Sequence, residues 1–344
     1  LLVGWRHIQL STFNFQPSGK AAISMPELFD ALPGQEVPVG GIAAAFKQLW
    51  DASPAKESRA EQLNLVLHLG RNCSPADAEE QFATTLRFAQ RYPCRVVVLC
   101  PDYNPQAAAE MRAKIYGECF LGKSKSDTRC VEFVILHYTM PVRDYLENQV
   151  SVCLSTDMPL YYWAHRFAEA RRLADYGYLL TRSQRILFDG ASSPPETFSY
   201  PWPKLSAVRD LAYTRTLPLR QNLGQFLSRY TPPLIITGLK KVTFHHKREL
   251  AAEAGALLGW IKKGLVRSGA DLAPIEFAII PEDCAGCFEL TFDYANAGKT
   301  FRWEADLARD EAQFTGDLGT GRSTLTVGAH LLSPEMTLAE AMFF

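Results

Sequence analysis

The chain has 344 residues, 47% hydrophobic and 21% charged, with 36 Lys and Arg against 37 Asp and Glu for a formal net charge of -1. That composition describes a folded protein large enough for two cores and excludes a disordered chain. So even a charge balance gives no electrostatic ground for nucleic acid or an anionic membrane as partner, and no apolar run is long enough to cross a bilayer.

The chain opens at Leu1 rather than methionine, its first residues form no signal peptide, and residues 1 to 35 yield no firm element. Residues 42–50 are spaced for a short helix and 51–61 for a polar linker. Residues 63–69 form a strand whose only polar members are Asn64 and His68. A helix then starts at Ser74-Pro75-Ala76-Asp77, with Ser74 as N-cap, Pro75 in first position and Asp77 reaching back; Phe82, Leu86 and Ala89 mark its apolar stripe. Residues 95–100 are a β-branched run suited to burial on both faces of a parallel sheet. Asn104-Pro105 is expected to open another helix, residues 129–136 the next strand, and Pro141 a helix with Val142, Tyr145, Leu146, Gln149 and Cys153 on one face.

Residues 154–166 pass from a polar loop into the densest aromatic run of the chain. Tyr161, Tyr162 and Trp163 are core residues of a buried strand, while His165 and Arg166 stand at its carboxyl end, where open α/β sheets meet ligands and partners. An Arg-rich helix (168–176) and a strand (185–189) follow. The alternation predicts an α/β fold with a mixed, mainly parallel sheet over residues 36–200.

Ala191-Ser192-Ser193-Pro194-Pro195, with Trp202 after it, marks a boundary, and residues 201–344 read as an α+β domain with a β-rich tail. Helices over 204–229, interrupted at Pro218, precede strand segments at 234–236 and 242–244. Leu250, Ala254, Leu257, Leu258, Ile261 and Leu265 form one helical face, with Lys247, Glu249, Glu253 and Lys262 off it. Strands are expected at 275–280, 288–294, 299–305 and 323–327, with Asn296-Ala297-Gly298 turning a hairpin.

Several clusters invite chemistry. Gly316 to Ser323 nearly spells a phosphate loop, but Arg322 replaces the lysine and a strand follows instead of a helix, so a hairpin turn is the better account. Cys284 and Cys287 have redox or metal spacing; no second pair completes a zinc site, which leaves a turn with incidental thiols or a redox pair. The eight cysteines lie mostly in apolar runs, as small buried hydrophobes of a reducing cytoplasm rather than a disulfide framework. Lys240, Lys241, His245, His246, Lys247 and Arg248 form a basic string at a strand end, suited to an anion, to an acidic partner surface or simply to solvent. Arg215 and Arg220 flank the break at Pro218, with Asp210 and Tyr213 nearby; they suit carboxylate or phosphate recognition, or an ion pair locking two helices. No metal site or cofactor motif stands out, and no Rossmann fingerprint, nucleophile elbow or kinase signature appears.

With those residues in view, the chain resembles the OpcA family of glucose-6-phosphate dehydrogenase assembly proteins. The ordered segments carrying the resemblance are Gln62 to Val66, Tyr92 to Val98, Thr156 to Trp163, Arg185 to Asp189, Asp210 to Arg215 with Pro218 and Arg220, and Leu258 to Ile261. Tyr213 stands where Trp is expected and Leu219 where an aromatic is common. The resemblance implies a non-catalytic cytoplasmic protein, without cofactor, that binds glucose-6-phosphate dehydrogenase, promotes its active oligomer and raises its substrate affinity, serving the oxidative pentose phosphate pathway and NADPH supply. Its contact surface is expected to draw on His165, Arg166, Arg215, Arg220 and the stretch holding Lys240, Lys241, His246 and Lys247. The alternative is an enzyme or sensor that grips a sugar phosphate with the same cations; a thiol switch at Cys284 and Cys287 is a third option.

Overall fold

The computed structural model describes residues 7–8, 28–51, 62–121, 128–282 and 287–344. They divide into two compact units at Arg209/Asp210, with Ala341–Phe344 grouped with the first.

The first unit is built on strands β1 (His7–Ile8), β2 (Gln35–Val37), β3 (Leu63–Leu69), β4 (Cys94–Asp102), β5 (Met111–Leu121), β6 (Thr128–Thr139), β7 (Leu160–His165), β8 (Arg185–Phe188) and β9 (Val208–Asp210). Among the described residues their order is β1-β5-β6-β4-β3-β7-β8-β9, with β2 also on β5. β6, β4, β3, β7 and β8 run parallel, and β5 is antiparallel to β6, β1 and β2. This is the mixed, mainly parallel sheet the alternation predicts. Every residue of β3 and β7 is buried because helices cover both faces. They are α1 (Leu28–Ala31), α2 (Ile42–Asp51), α3 (Pro75–Arg91), α4 (Leu146–Cys153) and α5 (Gly177–Arg182). Phe46 and Trp50 of α2, Leu146 and Val150 of α4 and Leu179 of α5 share one core with Val66, Val97, Val134 and Tyr162. On α3, Phe82 meets Phe133 with ring centroids 4.3 Å apart. Gly117 admits α2: a Cβ there would lie 2.7 Å from Leu49 Cδ2, and the room lets Trp50 Nε1 donate to Glu132 at 2.5 Å.

The helix start at Ser74 is as read: Asp77 N donates to Ser74 Oγ and Ser74 N to Asp77 Oδ2. Asn104-Pro105, however, opens no helix. Asp102 Oδ1 accepts from Asn104 N at 2.8 Å and Asn104 Oδ1 from Gln106 N at 3.0 Å, two local turns that divert the backbone, and the chain then enters β5. The period-two pattern was there to see: Ala113, Ile115, Gly117 and Cys119 alternate with Arg112, Lys114, Tyr116 and Glu118. β5 also corrects the cysteine reading. It sets Cys119 opposite Cys130 of β6 with Cα atoms 4.0 Å apart, joined as a disulfide. Residues 140–145 and 170–176 are 3₁₀ turns leading into α4 and α5, so Tyr145, expected on the inward face, is exposed, and Val150 is buried with Leu146 and Cys153.

The second unit comprises α6 (Leu211–Arg215), α7 (Leu217–Leu227), α8 (Pro232–Ile236), β10 (Leu239–His246), α9 (Ala251–Arg267), β11 (Glu276–Pro281), β12 (Cys287–Tyr294), β13 (Thr300–Asp306), β14 (Glu311–Asp317), β15 (Ser323–Gly328) and the part of α10 (Pro334–Phe343) before Ala341. Its sheet order is β11-β10-β12-β13-β14-β15, antiparallel except for β10 and β11. Phe244, Leu290, Trp303 and Phe314 alternate onto the face that carries Leu223 and Phe226 of α7 and Leu257 and Ile261 of α9. Phe226 stacks on Phe314 at 4.4 Å. Residues 234–236 are helical, not strand, because Pro232 and Pro233 fit a first helical turn and lack the N–H groups a ladder needs. The β12–β13 hairpin and the β14–β15 turn are as expected; in the latter Asp317 Oδ1 accepts from Gly319 N, and Gly319 and Gly321 have φ of 97° and 98°. The strand β14 was not foreseen. β11 is an edge strand on which Ile279 and Ile280 are exposed.

Candidate functional site

The chain leaves β3 for β4 on one side and returns through β7 on the other, so the carboxyl ends of β3 and β7 form the crevice where doubly wound sheets hold ligands. Here the crevice is closed by the protein's own groups. Gly70 N donates to His165 O at 2.7 Å and Asn72 N to Arg166 O at 3.1 Å. A Cβ on Gly70 would stand 2.5 Å from Arg166 O. Arg166, at φ 52°, directs Nη2 to Asp77 Oδ1 at 3.1 Å, so the free N–H groups of α3 already face a carboxylate of the chain itself. His165 is 6% exposed, and neither ring nitrogen has a hydrogen-bond partner among the described residues. Burial, and then the Arg166 charge, push its pKa down to about 4. Both residues named from the sequence at this strand end therefore face inward contacts.

Beneath the crevice runs a chain of buried polar groups. His68 Nδ1 lies 2.7 Å from Tyr162 Oη, its Nε2 3.2 Å from Tyr138 Oη, and Tyr138 Oη 2.8 Å from Tyr176 Oη. Burial pushes the His68 pKa down to about 3, and a neutral imidazole supplies the one donor and one acceptor this chain needs. Beside it, a cavity of about 450 Å³ opens at the ends of β3, β4 and β6, lined in part by Arg71, Asp102, Tyr103, Asn104 and His137. The thiols here are unreactive ones: burial pushes Cys73 up to about 12 and Cys100 higher still.

In the second unit Arg215 and Arg220 part company. Arg215 Nε donates to Glu253 Oε1 at 2.6 Å, tying α6 to α9, and Glu253 is 4% exposed although its helix pattern placed it outside. Arg220 lies 3.9 Å over the Tyr213 ring with Nη1 2.8 Å from its hydroxyl. Asp210 caps α6 by accepting from Ala212 N at 2.9 Å. The basic string is spread over both faces of β10 and matched with carboxylates. Lys241 meets Glu276 at 2.7 Å, His245 meets Glu282 at 2.5 Å and Lys247 meets Glu249 at 3.6 Å. His246 is buried with Nδ1 2.6 Å from Lys247 O, while Lys240 is exposed. Cys284 lies outside the described residues, and Cys287 opens β12.

Two features escaped the sequence. Phe198 and Leu205, 61% and 71% exposed, stand out of the Pro-rich segment that reads only as a boundary. Arg71 and Tyr103 line the cavity from loops with no motif; only their places after β3 and β4 point to them. Among the described residues no group of three or more His, Cys, Asp or Glu side chains is placed to hold a metal ion, and no helix is long and apolar enough to cross a membrane.

The chain matches no curated protein. The model of the family OpcA_G6PD_assem, described as the glucose-6-phosphate dehydrogenase subunit N-terminal domain, matches residues 86–207, from the second half of α3 to the 3₁₀ turn before β9. The match takes in the stretch that contains β4 to β8 and agrees there with the resemblance read from the sequence.

Proposed function

We propose that the chain is a non-catalytic assembly factor and allosteric activator of glucose-6-phosphate dehydrogenase, acting in the cytoplasm on the oxidative pentose phosphate route and its NADPH supply. The match over residues 86–207 carries this reading. The same stretch offers Phe198 and Leu205, large apolar side chains held in solvent, which are the kind of anchor that dominates protein interfaces. In the second unit the Arg220–Tyr213 stack and exposed Lys240 are the members of the basic set best placed to meet a partner. His165 and Arg215 support the scaffold behind such a surface. An activator shifts its target only through unequal affinity for the two oligomeric states.

The test adds the purified chain to its cognate dehydrogenase and reads the apparent substrate KM together with the oligomer size by light scattering. A lower KM or a larger oligomer is expected, and Leu205→Ala weakens the effect without altering the thermal unfolding of the chain, whereas Phe198→Ala also gives up a ring contact with buried Phe188 at 5.3 Å. Neither change with the wild-type chain sinks the reading.

A further inference from the structure

The cavity at the ends of β3, β4 and β6 has unused hydrogen-bonding capacity of a particular kind. Its volume of about 450 Å³ lies within the range of small-molecule sites, and it opens at the carboxyl edge of a parallel sheet. Arg71 is exposed at its rim and makes no ion pair among the described residues, in contrast to Arg143 and Arg166, which meet Asp175 and Asp77. The Tyr103 hydroxyl, close enough to Arg71 to feel its charge, also lacks a hydrogen-bond partner among the described residues. Asp102 uses Oδ1 on Asn104 N, and Asn104 uses Oδ1 on Gln106 N. One carboxylate oxygen and one amide NH₂ therefore remain for a ligand. The nearby helix start contributes nothing to an anion, since Asp77 already sits there.

We infer that this cavity binds a small polyhydroxylated anion of the sugar-phosphate class, with the guanidinium of Arg71 on the phosphate and Tyr103, Asn104 and Asp102 on the hydroxyls. A guanidinium fork is the side chain best matched to a phosphate, and a carboxylate beside an amide accepts from and donates to adjacent hydroxyls. The carboxylate also disfavours a bare dianion, so hydroxyls and phosphate on one molecule satisfy the site where neither does alone. The inference is independent of the dehydrogenase reading.

Isothermal titration of the full chain with glucose 6-phosphate, glucose and inorganic phosphate tests it. Saturable binding of the hexose phosphate is expected, at least about tenfold tighter than either fragment. Arg71→Ala weakens it by about tenfold or more, and Tyr103→Phe weakens it less; neither alters thermal unfolding, because neither group has a partner to lose. Absence of heat up to about 10 mM hexose phosphate overturns the inference, as does binding that survives Arg71→Ala unchanged. Equal affinity for inorganic phosphate overturns the ligand class.

Discussion

Arg215→Ala separates a scaffold role from a recognition role. The Arg215 Nε–Glu253 Oε1 bond of 2.6 Å joins a side chain 19% exposed to one 5% exposed, and Glu253 Oε2 has no partner among the described residues. Removing the guanidinium strands a carboxylate where water cannot reach it. Breaking such a pair from one side costs about 3–5 kcal/mol, a large share of a typical domain stability of about 5–15 kcal/mol. With a urea m-value of about 2 kcal/mol/M, the midpoint of the second unit falls by about 1.5–2.5 M. Replacing both members, as Arg215→Ala with Glu253→Met, removes the stranded charge and returns most of the loss, because an apolar side chain of similar volume tolerates burial. Urea unfolding followed by Trp fluorescence measures both variants. If Arg215→Ala lies within about 1 kcal/mol of wild type, or the double variant is no more stable than the single, the pair does not hold this unit together. Activation assays sharpen the point: restored activation by the double variant means that Arg215 never touched the dehydrogenase.

Stability should also fall in mild acid. His68 and His165 have folded pKa values of about 3 and about 4, both below the ordinary 6.5, so the unfolded chain takes up protons that the folded chain refuses. The loss begins as pH falls below about 6.5 and grows by up to about 1.4 kcal/mol per pH unit for each histidine, until the folded pKa is reached. His68→Gln halves that slope in urea midpoints measured between about pH 7 and pH 5, and an unchanged slope refutes the assignment. Gly70→Ala drives a methyl into Arg166 O and Phe167 Cα, at 2.5 and 2.6 Å, and lowers stability by about 2 kcal/mol or more; a neutral result by differential scanning fluorimetry means the β3–β7 crevice is looser than described. Phe343 lies against Tyr92 and Tyr161 with ring centroids at 4.7 and 6.0 Å, so Phe343→Ala destabilises the first unit by about 1–3 kcal/mol, read as a drop in Tm. Replacing Cys119 and Cys130 by Ser opens an 11-residue separation and costs about 2–3 kcal/mol under oxidising conditions; equal midpoints for wild type and variant without reductant count against the bond.

The parallel core was legible because each of its strands is buried on both faces, which leaves the continuous apolar runs at residues 95–100 and 160–165. Boundaries spelled by local chemistry were legible too, as at Ser74 and at the turn before Ser323. β5 was missed because its polar residues Arg112, Lys114 and Glu118, the last two buried, interrupt the apolar signal on alternate positions behind an Asn-Pro that suggested a helix. Leu234 to Ile236 misled in the opposite way: three β-branched or apolar residues look like strand until the two preceding prolines are weighed. At the candidate sites, residue type was legible and partner was not. Arg215 and Arg220 are five positions apart, yet one is fixed by Glu253 from α9 and the other by Tyr213 one helix back. Nothing in the linear pattern states which carboxylate a guanidinium will find.

The exposed rim strand β11 has a practical consequence for handling the protein. Its outer N–H and C=O groups and the side chains of Ile279 and Ile280 form a template onto which another extended chain can add. Glu276 is paired with Lys241 and Glu282 with His245, so the carboxylates that bracket the template leave little net charge to hold two such rims apart. Concentrated stocks are therefore where this rim meets a second copy of itself, and turbidity that falls on Ile279→Lys locates the vulnerability at this strand.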